Sequence, residues 1–171
     1  MQRKGTAVAQ AAKHDITFSR EFDAPAELLY RAFTDPDQLC LWFGPDGWSV
    51  PCESVQIDAR PGGFQRFVMV NDENPELRSP VNATFTEVVE NELLVGHEDV
   101  EDPQTKKSER LRLRLEFHAE SDARTRLDVR QGPFTQEMGR ATDPLRGIWN
   151  RCELFLYRKS FTKVQWLVVE N

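Results

Sequence analysis

The sequence predicts a single α+β domain in which an antiparallel sheet packs against helices, one of them long and close to the C-terminus. Between Trp48 and about Arg130 the apolar residues recur with a period of two, and turn residues interrupt the pattern. Two short helical patterns precede this region and a longer one follows it. A chain of 171 residues can form one such core without a second domain.

Composition narrows the class of protein. Apolar residues make up 39% of the chain and charged residues 29%, and no apolar run approaches the ~20 residues of a membrane span. The net charge of −6 gives no positive field that would attract a phosphate backbone, so nucleic acid is not expected as a partner. Residues 1–15 are basic but lack the apolar core of a secretion signal. They are expected to form a flexible tail of a soluble, cytoplasmic protein.

The first strand and the two short helices follow from local patterns. Apolar and polar residues alternate from Ile16 to Phe22, as in a half-buried strand. Pro25 suits the first turn of a helix, and Asp35 with Pro36 predicts a second helix that ends at Gly44. The apolar faces of the two helices are formed by Leu28, Leu29, Ala32 and Phe33, and by Leu39, Cys40, Trp42 and Phe43.

Six strands are predicted from Trp48 to Arg130, and the last two give the clearest pattern. In Leu111–Phe117 and in Arg124–Arg130, apolar residues point one way and charged residues the other, which predicts a hairpin of an antiparallel sheet. Its charged face is expected to be a salt-bridged surface in water, formed by Arg112, Arg114, Glu116, Arg126, Asp128 and Arg130.

A long C-terminal helix is predicted after Asp143 and Pro144. Its apolar stripe would be formed by Leu145, Ile148, Trp149, Cys152, Phe155 and Leu156. The apolar stretch from Phe161 to Val169 is expected to add an edge strand or to contact a second subunit as a homodimer. We therefore divide the chain into a tail (1–15), a domain (16–160) and a C-terminal extension (161–171).

The order of these elements resembles the START-like (SRPBCC) superfamily, whose helix-grip fold wraps a curved antiparallel sheet around a long C-terminal helix. Particular motifs resemble, within it, the activators of the heat-shock protein 90 ATPase and their stand-alone relatives. The motif around Trp42 is the most specific of them. These motifs are Pro25, Ala32-Phe33-Thr34-Asp35, Leu39, Trp42-Phe43-Gly44-Pro45, Pro61-Gly62-Gly63-Phe64, Phe85, Val88-Val89, Leu93-Leu94-Val95, Gly147 and Trp149.

This resemblance implies a cavity between sheet and helix, which in members of the superfamily holds sterols, lipids, polyketides or plant hormones. Aromatic and methionine side chains on the predicted inner faces, or at the mouth of the cavity, are the candidate lining. They are Trp42, Trp48, Phe64, Phe67, Met69, Phe85, Phe117, Phe134, Met138 and Trp149.

Residues for catalysis are sparse. None of the histidines, His14, His97 and His118, has a partner fixed by spacing, and no metal, nucleophile or phosphate-loop motif is present. The acidic residues at 98, 99, 101 and 102 are interpreted as a solvated loop. The three cysteines, at 40, 52 and 152, are interpreted as buried thiols.

Three functions are compatible with the sequence. The first is non-enzymatic binding of a small apolar molecule, and the second is a protein-interaction domain that acts on a chaperone. The third is a cyclase or lyase in which His97 or Glu87 orients a substrate. The sequence favours the first and requires no cofactor for any of them.

Overall fold

The computed structural model describes residues 14–101 and 108–134, which form an antiparallel sheet with two helices on one face. Within this part of the chain the sheet has eight strands, in the order β1-β8-β7-β6-β5-β4-β2, and β3 also pairs with β4. The strands are β1 His14–Phe22, β2 Trp48–Ser49, β3 Gln56–Ile57, β4 Phe64–Asn71, β5 Arg78–Val89, β6 Leu93–Glu101, β7 Ser108–Ser121 and β8 Arg124–Phe134.

The two helices begin where the sequence predicts them. Helix α1 spans Ala26–Thr34, and the N–H of Leu29 donates to the carbonyl oxygen of Pro25 at 3.1 Å. Helix α2 spans Pro36–Leu39, and the Asp35 side chain accepts from the N–H of Asp37 at 3.0 Å. That bond satisfies one of the free donors at the helix start. Helix α2 is shorter than predicted because the chain continues in tight turns. In one of these turns the N–H of Leu41 donates to the carbonyl oxygen of Gln38 at 3.1 Å.

The sheet between Trp48 and Phe134 has seven strands rather than the predicted six. Two of them, β2 and β3, pair with β4 and are only two residues long. A strand of two residues is too short to show an alternation of apolar and polar residues. The predicted turn at 61–63 is present: Gly62 has a φ of +79°, and a Cβ at Gly63 would collide with the carbonyl oxygen of Asp58.

The predicted hairpin of the last two strands is confirmed. Leu115 pairs with Val129 and Phe117 with Leu127, and the turn between the strands lies at residues 122–123. Strand β8 then pairs with β1 along its other edge, with Phe18 opposite Val129. The first and last described strands are therefore neighbours in the sheet.

The buried core lies between α1, α2 and the face of the sheet that carries Leu127. Members that are at most 5% exposed are Phe22, Ala24, Leu29, Ala32, Phe33, Leu39, Trp42, Val50, Phe67, Leu94, Leu115, Phe117, Leu127 and Val129. The predicted C-terminal helix, the extension 161–171 and most of the tail 1–15 lie outside the described residues.

The prediction that all cysteines are buried thiols is wrong for two of them. Cys40 and Cys52 form a disulfide whose Cα atoms lie 5.0 Å apart, and Cys52 is exposed. The chain folds back after β2 so that the 3-10 helix Cys52–Ser54 meets the end of α2. Spacing along the sequence does not reveal such a return, because proximity of the Cα atoms decides whether two cysteines can bond. Cys152 lies outside the described residues.

Candidate ligand-binding face

One face of the sheet, which we call the inner face, is turned towards α1 and α2. Paired residues on adjacent strands point to the same side, so the register assigns each side chain to a face. One row of paired residues crosses four strands on this face, and it consists of Leu94, Leu115, Val129 and Phe18. The opposite side is called the outer face.

Helices α1 and α2, with the segment that follows them, cover one end of the inner face with aromatic contacts. The ring of Phe117 lies 5.6 Å from that of Tyr30 and 5.8 Å from that of Phe33, both in edge-on geometry. The ring of Phe43 lies 4.8 Å from that of Phe67 on β4. These aromatic rings contact one another directly, so this end of the inner face belongs to the packed core.

The other end of the inner face is only partly covered by the described residues. Leu115 is 3% exposed, whereas Leu113 and Leu111, further along the same side of β7, are half-buried. Met69 on β4 and Val81 on β5 are also half-buried apolar side chains on this face. The open end is therefore an apolar surface continuous with the core.

The sheet forks at this open end. Strands β5 and β6 pair from Val89 opposite Leu93 to Ala83 opposite Glu98. Beyond that pair, β5 continues along β4 as far as Arg78, and β6 continues along β7 as far as Glu101. We call the gap between the two strands the fork, and Glu98 lies at its base.

Glu98 is an acidic side chain between two apolar register neighbours on the inner face. Its neighbours in register are Ala83 on β5 and Leu111 on β7, and its own side chain is half-buried. Its Oε1 accepts the N–H of Asn82 at 3.0 Å, at the point where β6 no longer supplies a backbone acceptor. Burial raises the pKa of the Glu98 carboxyl above its usual value, and the bond from Asn82 opposes part of this rise.

A basic side chain also lies on the inner face. Arg20 is paired with Leu127 and is only 8% exposed. Neither Arg20 nor Glu98 was predicted to lie on the inner face. The alternation of side chains along a strand could have placed both residues on this face. Arg20 lies two residues from Phe18 and from Phe22, and Glu98 lies four residues from Leu94, so each points to the same face as these apolar residues.

The predicted lining residues fall into several places. Phe67, Met69, Phe85 and Phe117 lie on the inner face. Trp48 lies on the same side at the edge of the sheet, opposite Asn71. The side chain of Phe134, and the whole of Met138 and Trp149, lie outside what the structure describes.

Two of the predicted lining residues are placed elsewhere. Trp42 is 2% exposed and belongs to the core beside α1, where its Nε1–H donates to the carbonyl oxygen of Ala32 at 2.9 Å. Phe64 lies on the outer face, because it pairs with Thr84, and the guanidinium of Arg66 lies 4.3 Å from the centre of its ring. Three positions separate Phe64 from Phe67, so the two side chains of this strand point to opposite faces.

The residues considered for catalysis do not converge on the inner face. His97 pairs with Thr84 and Arg112, and Glu87 pairs with Val95, all on the outer face. The prediction of a loop is wrong for three of its four acidic residues, because β6 continues to Glu101 and carries Glu98 inward, while Asp102 lies outside the described residues. Across residues 14–101 and 108–134, no group of three or more potential ligands could hold a metal ion.

The outer face carries the charge pattern that the sequence predicts for the last hairpin. Arg114 bonds Glu116 at 2.8 Å, Arg130 lies 2.6 Å from the carboxylate of Asp15, and Arg126 bonds Asp128. His118 also lies on this face, 3.1 Å from Asp128, as its register predicts. No helix in the described part of the chain is long and apolar enough to cross a membrane.

A curved antiparallel sheet with a helical layer on one face defines a domain with the START-like architecture. The family model described as "Activator of Hsp90 ATPase homolog 1-like protein" matches residues 23–153. The chain therefore belongs to this family, as its motifs predict.

Solved structures share the fold. A protein from Nitrosomonas europaea is 24% identical, with a TM-score of 0.69, over 86% of this chain and 97% of its own. The AHSA1 protein from Silicibacter pomeroyi is 20% identical, with a TM-score of 0.71, over 85% and 99%. A protein from Chromobacterium violaceum is 19% identical, with a TM-score of 0.70, over 87% and 98%. A comparison with proteins of curated function finds no match.

Proposed function

We propose that this protein binds a small apolar molecule at the open end of the inner face and does not catalyse a reaction on it. The observation that supports this is the change in burial along β7, from Leu115 at 3% exposed to the half-buried Leu113 and Leu111. An apolar surface that continues out of a packed core favours an apolar ligand, since each Å² removed from water stabilises the complex by ~25 cal/mol.

The proposed pocket has one wall in the sheet and one in the predicted C-terminal helix. Met69, Val81 and Leu113 belong to the first wall. The apolar stripe of the helix, predicted from Leu145 to Leu156, would form the second. A ligand enclosed between the two would lose most of its contact with water, as small apolar ligands in proteins do.

The location of the protein in the cell is a separate prediction. A cytoplasmic location is expected from the composition of the tail. The disulfide between Cys40 and Cys52 weighs against it, because such bonds persist mainly in oxidising compartments.

The proposal is tested by thermal unfolding with decan-1-ol as the probe. A ligand that binds only the folded state, present at about 100 times its Kd, should raise the Tm by ~5 °C or more. Leu113→Trp should abolish this shift, because the larger side chain occupies the open end of the inner face. Arg112→Trp is the matched control, since it places the same side chain one residue away on the outer face.

The proposal predicts a shift in the wild type and in Arg112→Trp, and none in Leu113→Trp. If the wild-type Tm does not respond to decan-1-ol or to longer alcohols, the inner face is not a ligand site. An equal shift in both variants would place the bound alcohol elsewhere on the protein.

A second candidate is a protein-interaction domain for a chaperone of the heat-shock protein 90 type, which the description of the family favours. The outer face, with its exposed ion pairs such as Arg110 with Asp99 at 2.8 Å, would be the contact surface. Retention of the purified chaperone on the immobilised full chain would support this candidate. The loss of that retention in Arg112→Trp, but not in Leu113→Trp, would assign it to the outer face.

The positions of the two candidate residues do not support a cyclase or lyase role. Its two candidate residues, His97 and Glu87, lie on the face opposite to the proposed pocket. A residue that orients a substrate must be within hydrogen-bond reach of it.

A further inference from the structure

We propose that Glu98 is the polar anchor for ligands at the open end of the inner face and selects apolar ligands that carry a protonated amine. This inference rests on the proposed function, because it assigns a head-group contact to the same site. It concerns the base of the fork, where an acidic side chain meets the open end of the inner face.

The fork explains why the Glu98 carboxylate is both fixed and accessible. The N–H of Asn82 holds Oε1 at 3.0 Å, which sets the orientation of the group. Among the described residues, no hydrogen bond to Oε2 is found, and the side chain is only half-buried. Within residues 14–101 and 108–134, one oxygen of the carboxylate is therefore bound, and the other is the atom to which we assign the ligand contact.

The surroundings of Glu98 lack a counter-charge within the described residues. The neighbours in register, Ala83 and Leu111, are uncharged, and so are Val81 and Leu113, the next inner-face positions on the same two strands. The two basic residues that flank Leu111 on β7, Arg110 and Arg112, lie on the outer face, and Arg110 is held there by Asp99 with bonds of 2.8 and 2.9 Å.

A carboxylate in such a setting favours a cationic hydrogen-bond donor. An ammonium group supplies both the missing positive charge and an N–H for the free oxygen, and bonds between charged groups are stronger than neutral ones. A ligand carboxylate would be repelled, and a hydroxyl would supply a donor without the charge. The apolar chain of the ligand would lie along Leu113 and Met69, towards the core.

The test compares three probes that share a ten-carbon chain: decylammonium, decan-1-ol and decanoate. Their Kd values for the full chain are measured by equilibrium dialysis at neutral pH, below the concentrations at which they form micelles. Decylammonium is expected to bind roughly ten times more tightly than decan-1-ol, and decanoate more weakly than either.

Two variants separate the local contact from the overall charge of the protein. Glu98→Gln keeps an oxygen that can accept from Asn82 but removes the negative charge, and should bring the preference for the amine down to about one. Asp99→Asn changes the net charge equally, one residue away on the outer face, and should keep the tenfold preference. The thermal transition of each variant confirms that it folds.

The outcomes are distinguishable. Equal binding of all three probes to the wild type, or an amine preference that survives in Glu98→Gln, would overturn the role of Glu98 while leaving the pocket in place. Binding of none of the probes would overturn the proposed function itself, and the role of Glu98 with it.

Discussion

Leu127 and Arg126 are adjacent on β8, yet their side chains lie in opposite environments. Leu127 is 0% exposed on the inner face and packs in the core, whereas the Arg126 side chain is 38% exposed and pairs with Asp128 on the outer face. Because burial of apolar area stabilises a fold far more than an ion pair in water, the inner face carries the stability. The difference also explains why the proposed ligand site lies there.

The largest expected effect tests this contrast directly. Leu127→Ala should lower the free energy of unfolding by about 3 kcal/mol, because it leaves a cavity in a fully buried position. Arg126→Ala should cost less than about 1 kcal/mol, since its ion pair is exposed to solvent. Urea denaturation of both variants measures the two values. Similar losses in both would mean that the ion pairs of the outer face contribute as much as the core.

A second prediction concerns what holds the helical cover on the inner face. Cys52→Ser should lower the free energy of unfolding by about 2 to 3 kcal/mol, because the disulfide closes a loop with a sequence separation of 12 residues. Guanidinium denaturation of the variant, and of the wild type with a dithiol reductant, should give the same midpoint. Glu53→Ser is the control, as an exposed neighbour outside the bond. If both midpoints equal that of the wild type with its disulfide intact, packing alone holds α2 in place.

The smallest expected effect concerns Glu98, the acidic side chain at the open end of the inner face. The raised pKa of Glu98 in the folded state means that folding costs free energy at a pH where the carboxyl is charged. This cost grows as the pH rises from the unfolded value through the raised folded value, and it is absent at lower pH. Glu98→Gln should therefore raise the Tm by up to ~2 °C at pH 7 and have no such effect near pH 3.

Differential scanning calorimetry of wild type and variant across this pH range measures the effect. Asp99→Asn should behave in the opposite way, because the hydrogen bond from Arg110 lowers the pKa of Asp99. The stability from that bond is present above the unfolded pKa of Asp99 and is lost as the pH falls through the folded pKa. A stabilising effect of Asp99→Asn at pH 7 would contradict the contrast between the two faces.

Most of the described fold could be predicted from the sequence because it depends on local periodicity. The alternation in Leu111–Phe117 and in Arg124–Arg130 fixes which side chains of the last hairpin face the core. The capping residue Asp35, followed by Pro36, fixes the start of α2. Strands β2 and β3 escaped prediction because two residues show no period.

The site was harder to predict than the fold. Alternation assigns a side chain to a face of the sheet only if the boundaries of its strand are predicted correctly. The prediction of a loop from residue 98 removed Glu98 from the inner face, and the prediction of the aromatic residues as one group hid that Phe64 faces outward. Side-chain chemistry suggested the lining, but the register of neighbouring strands decided which residues share a face.

The sequence by itself determined the family, the order of the elements and the apolar side of each long strand, because these follow from motifs and from patterns between near neighbours. Only the tertiary structure decided that Cys40 meets Cys52, that the sheet forks after Ala83, and that Glu98 lies at the base of that fork. Each of these depends on how distant segments approach in space, and such approaches result from the packing of the whole chain rather than from any local pattern.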